Sequence, residues 1–99
     1  MLFYIKYGCS YYTEELIVSA HNKQTAEEYA RVEAEDVYFS YSNNCLDRYE
    51  YDDLTEEEFE DMEYQVMSES ILYYAEPYDL NNEKHQDLLS EQGGLPFDV

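Results

Sequence analysis

Twenty-four Asp and Glu side chains in 99 residues put a pair of carboxylates at almost any spacing. Paired carboxylates do general acid–base work or hold two divalent ions, but here pairing is inevitable and singles out no pair. His21, His85, Cys9 and Cys45 are the only imidazoles and thiols, and none stands at a zinc-ligand spacing such as C-x2–4-C or H-x3–5-H. Asp47 to Glu58 has the acidity of a calcium loop without its central glycine or its alternation of ligands. A nucleophilic Cys9 or Cys45 needs an electropositive setting, the reverse of this composition, and there is no glycine-rich phosphate loop. Catalysis is thus the class the residues support least, and the expectation is a protein that is not an enzyme and has no cofactor and no metal.

What remains is charge. Asp47, Glu50, Asp52, Asp53, Glu56, Glu57, Glu58, Glu60, Asp61 and Glu63 share 17 residues with one base, Arg48. The whole chain carries 5 Lys/Arg against 24 Asp/Glu, a net −19. Such a surface is repelled by phosphates, which excludes direct nucleic-acid binding and an anionic membrane; its natural partners are basic. With 44% hydrophobic and 17% aromatic residues the chain should nevertheless fold.

Thr55 and Glu58 have the spacing of a capping box, and Phe59, Met62 and Val66 follow at helical steps, which predicts a helix over about 56–68. Glu56, Glu57, Glu60, Asp61 and Glu63 then form a ladder away from the apolar stripe, where each like-charge pair costs a few tenths of a kcal/mol. A compact domain of this length has a radius of gyration near ~13 Å, hence a diameter of roughly 33 Å, and 19 phosphates occupy about 32 Å of duplex. Comparable charge in comparable length suggests a decoy: carboxylates standing in for phosphates and tyrosine rings for stacked bases. The phosphate-mimicking candidates are Glu50, Asp52, Asp53, Glu56, Glu57, Glu60, Asp61 and Glu63. The aromatic candidates are Tyr11, Tyr12, Tyr49 and Tyr51, which fall in loops, whereas Tyr29, Tyr38 and Tyr41 stand at core spacing. The plainer alternative is an acidic surface that only keeps a structural domain in solution.

A small, highly acidic chain with Tyr interleaved among Asp and Glu, as in Tyr49-Glu50-Tyr51-Asp52-Asp53, resembles the phage-encoded inhibitors that mimic DNA, the anti-CRISPR and anti-restriction proteins. The resemblance covers size and charge over the whole chain and no aligned motif. It implies a basic partner, a CRISPR effector or restriction nuclease whose nucleic-acid groove the chain occupies, in the host cytoplasm. The strand pair, then Asn22-x-x-x-Ala26-Glu27-x-Tyr29-Ala30, then Ala75-Glu76-Pro77-Tyr78-Asp79 is also similar to small uncharacterised phage proteins and implies no function. Gln92-Gly93-Gly94-Leu95-Pro96-Phe97 is similar to the Q-x-x-L-x-F peptides that dock on the bacterial sliding clamp. That likeness makes Gln92, Leu95 and Phe97 an alternative contact set, on an extended and accessible terminus.

The positioning elements follow from period. Leu2 to Tyr7 reads as a first strand; Leu16, Val18 and Ala20 alternate with Ile17, Ser19 and His21 in a second, folded back as a hairpin. Ala26, Tyr29, Ala30, Ala34, Val37 and Tyr38 recur at helical steps over about 23–40, with Asn22, or Thr25 with Glu28, as the cap. Residues 42–54 read as a loop, Ile71 to Pro77 as a third strand, and 80–91 as a short helix stopped by Gly93 and Gly94. The expected architecture is α+β: a small three-stranded, mostly antiparallel sheet with two to three helices on one face, residues 1–91 forming one domain and 92–99 a flexible tail. Two cysteines make no disulfide scaffold, though one bridge between Cys9 and Cys45 stays open, as does a homodimer. The absence of a leader or a membrane-spanning run points to the cytoplasm.

Overall fold

The computed structural model describes residues 1–41 and 52–99. Leu2–Cys9 (β1) and Thr13–Ser19 (β2) pair antiparallel. At the turn the Cys9 N–H donates to the Tyr12 carbonyl at 2.9 Å and the Tyr12 N–H to the Cys9 carbonyl at 3.3 Å. Gly8 has φ +152°, and a Cβ there would lie 2.2 Å from the Tyr12 carbonyl oxygen, so the hairpin closes this tightly because the residue is glycine.

Lys23–Tyr41 (α1) is capped by Asn22, whose Oδ1 accepts the Thr25 N–H at 2.8 Å. Ala26, Ala30 and Ala34 repeat every four residues and are completely buried; their small side chains let the helix lie close against the sheet. Glu56–Ser70 (α2) begins at Thr55, which accepts the Glu58 N–H at 3.2 Å. It runs into Ile71–Pro77 (β3) with no loop between, the Ile71 N–H still bonded to the Met67 carbonyl. Glu83–Glu91 (α3) is capped by Asn82, and Phe97–Asp98 (β4) ends the chain's regular structure.

The sheet order is β3-β1-β2-β4, with β1 antiparallel to both neighbours and β4 parallel to β2. The class is α+β, but the sheet has four strands and is mixed where three mostly antiparallel strands were expected. Phe3, Ile5, Tyr7, Val18, Ala20 and Ala75 pack under α1, and Met67 joins them from α2. The helices do not share one face: Tyr4 and Ile17, cross-strand partners on the opposite side, are buried, and His85 of α3 stacks on Tyr4 with ring centroids 4.7 Å apart.

The C-terminal residues 92–99 are docked, not free. The Gln92 amide accepts the Ile17 N–H at 2.8 Å and donates to the Ile17 carbonyl at 3.0 Å, and the Val99 N–H reaches the Ser19 carbonyl at 3.0 Å. One side chain thus satisfies both outward backbone groups of Ile17 as a strand would. Gln92→Ala should cost about 1–2 kcal/mol, two net hydrogen bonds' worth. Amide exchange at Ile17 and Val99 should then rise together, and unchanged exchange would show that the tail is held by something else.

The Cα envelope measures 54 × 23 × 17 Å with a radius of gyration of 16.5 Å, longer than the compact body the sequence suggested. α2, about 22 Å long, meets α1 more than any one strand of the sheet. Nineteen charges over 54 Å is about one per 2.8 Å, sparser than the one per ~1.7 Å of duplex. Any likeness to DNA must therefore be local.

Candidate functional site

It is local on α2. Asp52, Asp53, Glu56, Glu57, Glu58, Glu60 and Asp61 are exposed and Glu63 is half-buried, while Phe59 and Met67 are buried beneath them. The Thr55 cap, whose hydroxyl also donates to Glu58 Oε1 at 3.0 Å, starts the helix ahead of the ladder, and the Phe59–Met67 stripe turns the carboxylates to solvent. Glu56, Glu57, Glu58, Glu60, Asp61 and Glu63 occupy eight residues, about 12 Å of helix axis and so roughly one carboxylate per 2 Å, which approaches the duplex value.

The described cations are on other elements, although Arg31 of α1 is near enough to α2 for Tyr64 to act on it electrostatically. Lys23 pairs with Glu27 at 3.7 Å, Arg31 with Glu28 and with Glu35 at 2.6 Å, and Lys84 with Glu15 at 2.6 Å, while Lys6 acts electrostatically on Glu15. All of these groups belong to β1, β2, α1 and α3. Among the described residues no carboxylate of α2 has a cationic partner.

A second group of acids sits at a groove of about 640 Å³ lined by Tyr7, Tyr12, Thr13, Glu14, Glu15, Leu16 and Leu88. It is internally satisfied. Hydrogen bonds from the Tyr12 and Tyr7 hydroxyls, both 2.7 Å, hold the Glu14 carboxyl below the usual range, and the Lys84 hydrogen bond does the same for Glu15. Burial, then the bonds to Glu15 and Glu14, push the Tyr4 and Tyr7 phenols well above theirs. Burial, with Asp36 and Glu14 nearby, raises Glu33. The signs differ: Glu14 adds stability above the ordinary carboxylate pKa and loses it as pH falls through its depressed value, whereas ionised Glu33 opposes folding until it is protonated. This group is paired, whereas among the described residues the α2 carboxylates have no cationic partner. Among the described residues no three or more His, Cys, Asp or Glu side chains are arranged to hold a metal ion, and no helix is long and apolar enough to cross a membrane.

No family model, curated protein or solved structure matches the chain.

The sequence-derived contacts are only partly brought together. Asp52, Asp53, Glu56, Glu57, Glu60, Asp61 and Glu63 share α2 and its approach. Tyr49, Glu50 and Tyr51, together with Cys45 and the Tyr41 side chain, lie outside the described residues. Tyr11 and Tyr12, 67% and 37% exposed, stand at the β1–β2 turn. The Cys9–Ile71 register puts that turn at the sheet end where α2 enters β3, roughly 15–22 Å of helix from Asp61 and Glu56. The aromatic on the acidic face itself is Tyr64, 60% exposed, three residues from Asp61 and four from Glu60. Its place off the Phe59–Met62–Val66 stripe was the available signal. Gln92, Leu95 and Phe97 lie at the β2 edge, across the sheet from β3. With the Gln92 amide bonded to Ile17, docking on a sliding clamp would first require the tail to leave the sheet.

Proposed function

We propose that the chain is a noncatalytic inhibitor that mimics nucleic acid and occupies the basic nucleic-acid-binding groove of a host defence nuclease complex, of the CRISPR-effector or restriction type. The observation that carries this reading is the segregation of charge: Lys23, Arg31 and Lys84 are ion-paired on the body and Lys6 acts on Glu15, while among the described residues no carboxylate of α2 has a cationic partner. An acidic surface serving solubility alone has no reason to be sorted in this way.

The mechanism is electrostatic. Fixed carboxylates at near-phosphate spacing accept charge-assisted hydrogen bonds from Arg and Lys in a groove, and Tyr64 offers a ring for a guanidinium to lie on. The helix holds its anions in place, so a partner need not order them on binding. Long-range attraction speeds encounter and is screened by salt.

The test is capture from a bacterial lysate at low and high salt, followed by cleavage assays with the nucleases retained. The expected result is inhibition relieved by excess cognate DNA, with affinity weakened at least about tenfold between ~50 and ~200 mM salt. Inhibition indifferent to both salt and competing DNA would sink the proposal. Loss of activity on removing residues 92–99 alone, with α2 intact, would move the reading to the sliding clamp.

A further inference from the structure

The sheet's two edges are treated differently. The β2 edge is closed by the Gln92 amide and by β4. β3 is the terminal strand on the other side. The Tyr78 N–H donates to the Leu2 carbonyl at 3.0 Å, so with the antiparallel register the even residues Leu72, Tyr74 and Glu76 turn their backbone toward β1. Ile71, Tyr73, Ala75 and Pro77 turn theirs outward. Pro77, which has no N–H, thus occupies a position where none is needed. Leu72, Tyr73 and Tyr74 are 45%, 41% and 41% exposed, and no charge interrupts Ile71 to Ala75. Edges are commonly protected by charged residues, proline, a bulge or a covering segment; β3 has Glu76 and Pro77 only at its end, and among the described residues Ile71 to Ala75 carry none of these.

We propose that this outer edge of β3 accepts an extended, basic segment of the partner protein as a fifth strand. The inference rests on the acidic-face reading of α2 and specifies how the same partner is held. Charge complementarity selects the occupant: a second copy would bring another net −19 against the first, whereas a cationic strand finds Glu69 two residues before β3 and, near its end, Glu76, half-exposed while its Oε1 holds His85. Continuity supports it, since Ser70 ends α2 and Ile71 begins β3, so a protein bound along the helix meets the edge with no gap. Main-chain bonds to Tyr73 and Ala75 would add to the salt-sensitive contacts a component that salt screens little.

Amide exchange of the full chain, followed by NMR at low salt, tests this with two probes of equal charge: a peptide alternating lysine and valine, and a helix-forming lysine–alanine peptide. The expected result is that the alternating peptide slows exchange at Tyr73 and Ala75 at least about tenfold, while the helical one binds without protecting them. The proposal is overturned if the alternating peptide fails to bind or binds without protecting these amides. It is also overturned if they become protected in the protein alone as its concentration rises, which would assign the edge to a second copy. Glu60→Gln/Asp61→Asn separates the two readings: it should weaken both peptides without altering the protection pattern. Unchanged affinity with protection at Tyr73 and Ala75 would remove the helix from the interface and leave the edge in place.

Discussion

Replacing Glu56, Glu57, Glu60 and Asp61 with their amides should abolish inhibition and at the same time make the protein more stable. The two effects have separable origins. Glu60 and Asp61 take part in five like-charge contacts at three or four residues' spacing: Glu56–Glu60, Glu57–Glu60, Glu57–Asp61, Glu58–Asp61 and Glu60–Glu63. At a few tenths of a kcal/mol each, Glu60→Gln/Asp61→Asn alone should stabilise by about 1–2 kcal/mol at low salt. Glu56 and Glu57 lie in the first turn, where the helix dipole favours anions by ~0.3–1 kcal/mol each, so amidating them should return little or cost slightly. Chemical denaturation of the double and quadruple variants across ionic strength checks this, because the gain should fade as salt screens the repulsion. Stability that rises while inhibition falls would mark carboxylates held for a partner at the fold's expense. A fall in both would show that these side chains serve the fold.

Most of the scaffold was legible in local pattern. The β3 run from Ile71 to Pro77, the Thr55 cap and the Asn22 cap all announce themselves within a few residues, and each stands where its spacing places it. What was not legible depends on contacts far apart in sequence. β4 is two residues long and is placed by Gln92, whose partner Ile17 lies 75 positions away; two glycines before a Pro-containing end read as a free tail instead. The placement of α3 on the opposite face was signalled only weakly, by the unbroken apolar run Leu2-Phe3-Tyr4-Ile5, which fits a central strand covered on both sides. Alternation in β2 put Ile17 outside because nothing local announced a helix arriving to cover it.

The candidate site divides along the same line. The acidic ladder was readable because helical period alone fixes which side chains share a face. Its lack of counter-charges among the described residues was readable only in part: Lys23 and Arg31 pair three or four residues along α1, but Lys84 and Lys6 act on Glu15 through contacts that only the fold makes. The β3 edge is illegible for a related reason: a strand's sequence shows its alternating faces but not which side of its backbone has a neighbour. Tyr73 and Tyr74 read as sheet residues and become surface only because β3 is terminal.

His85 should be the side chain outside the α1 core whose loss costs most. Scattered histidines suggested nothing, yet this one is buried, stacked on Tyr4 and, at 5.8 Å and 29°, on Tyr78. Its Nδ1 accepts the Asp79 N–H at 3.0 Å, and its Nε2 lies 3.0 Å from Glu76 Oε1. A backbone N–H can only donate, so Nδ1 must present a lone pair, and Nε2 carries the proton that Glu76 accepts. The ring therefore ties α3 to β3 through Glu76 and to the turn through Asp79, while its faces fasten the helix onto β1. His85→Ala removes the stack, opens a cavity and leaves the Asp79 N–H without a partner, an expected loss of about 3–4 kcal/mol out of a total of ~5–15. His85→Phe keeps the ring and should recover roughly half, the remainder being the unpaired Asp79 N–H. Nitrogen chemical shifts at neutral pH should show Nδ1 bare and Nε2 protonated. A protonated Nδ1, or an alanine variant as stable as the parent, would mean that α3 is held to the sheet by other contacts.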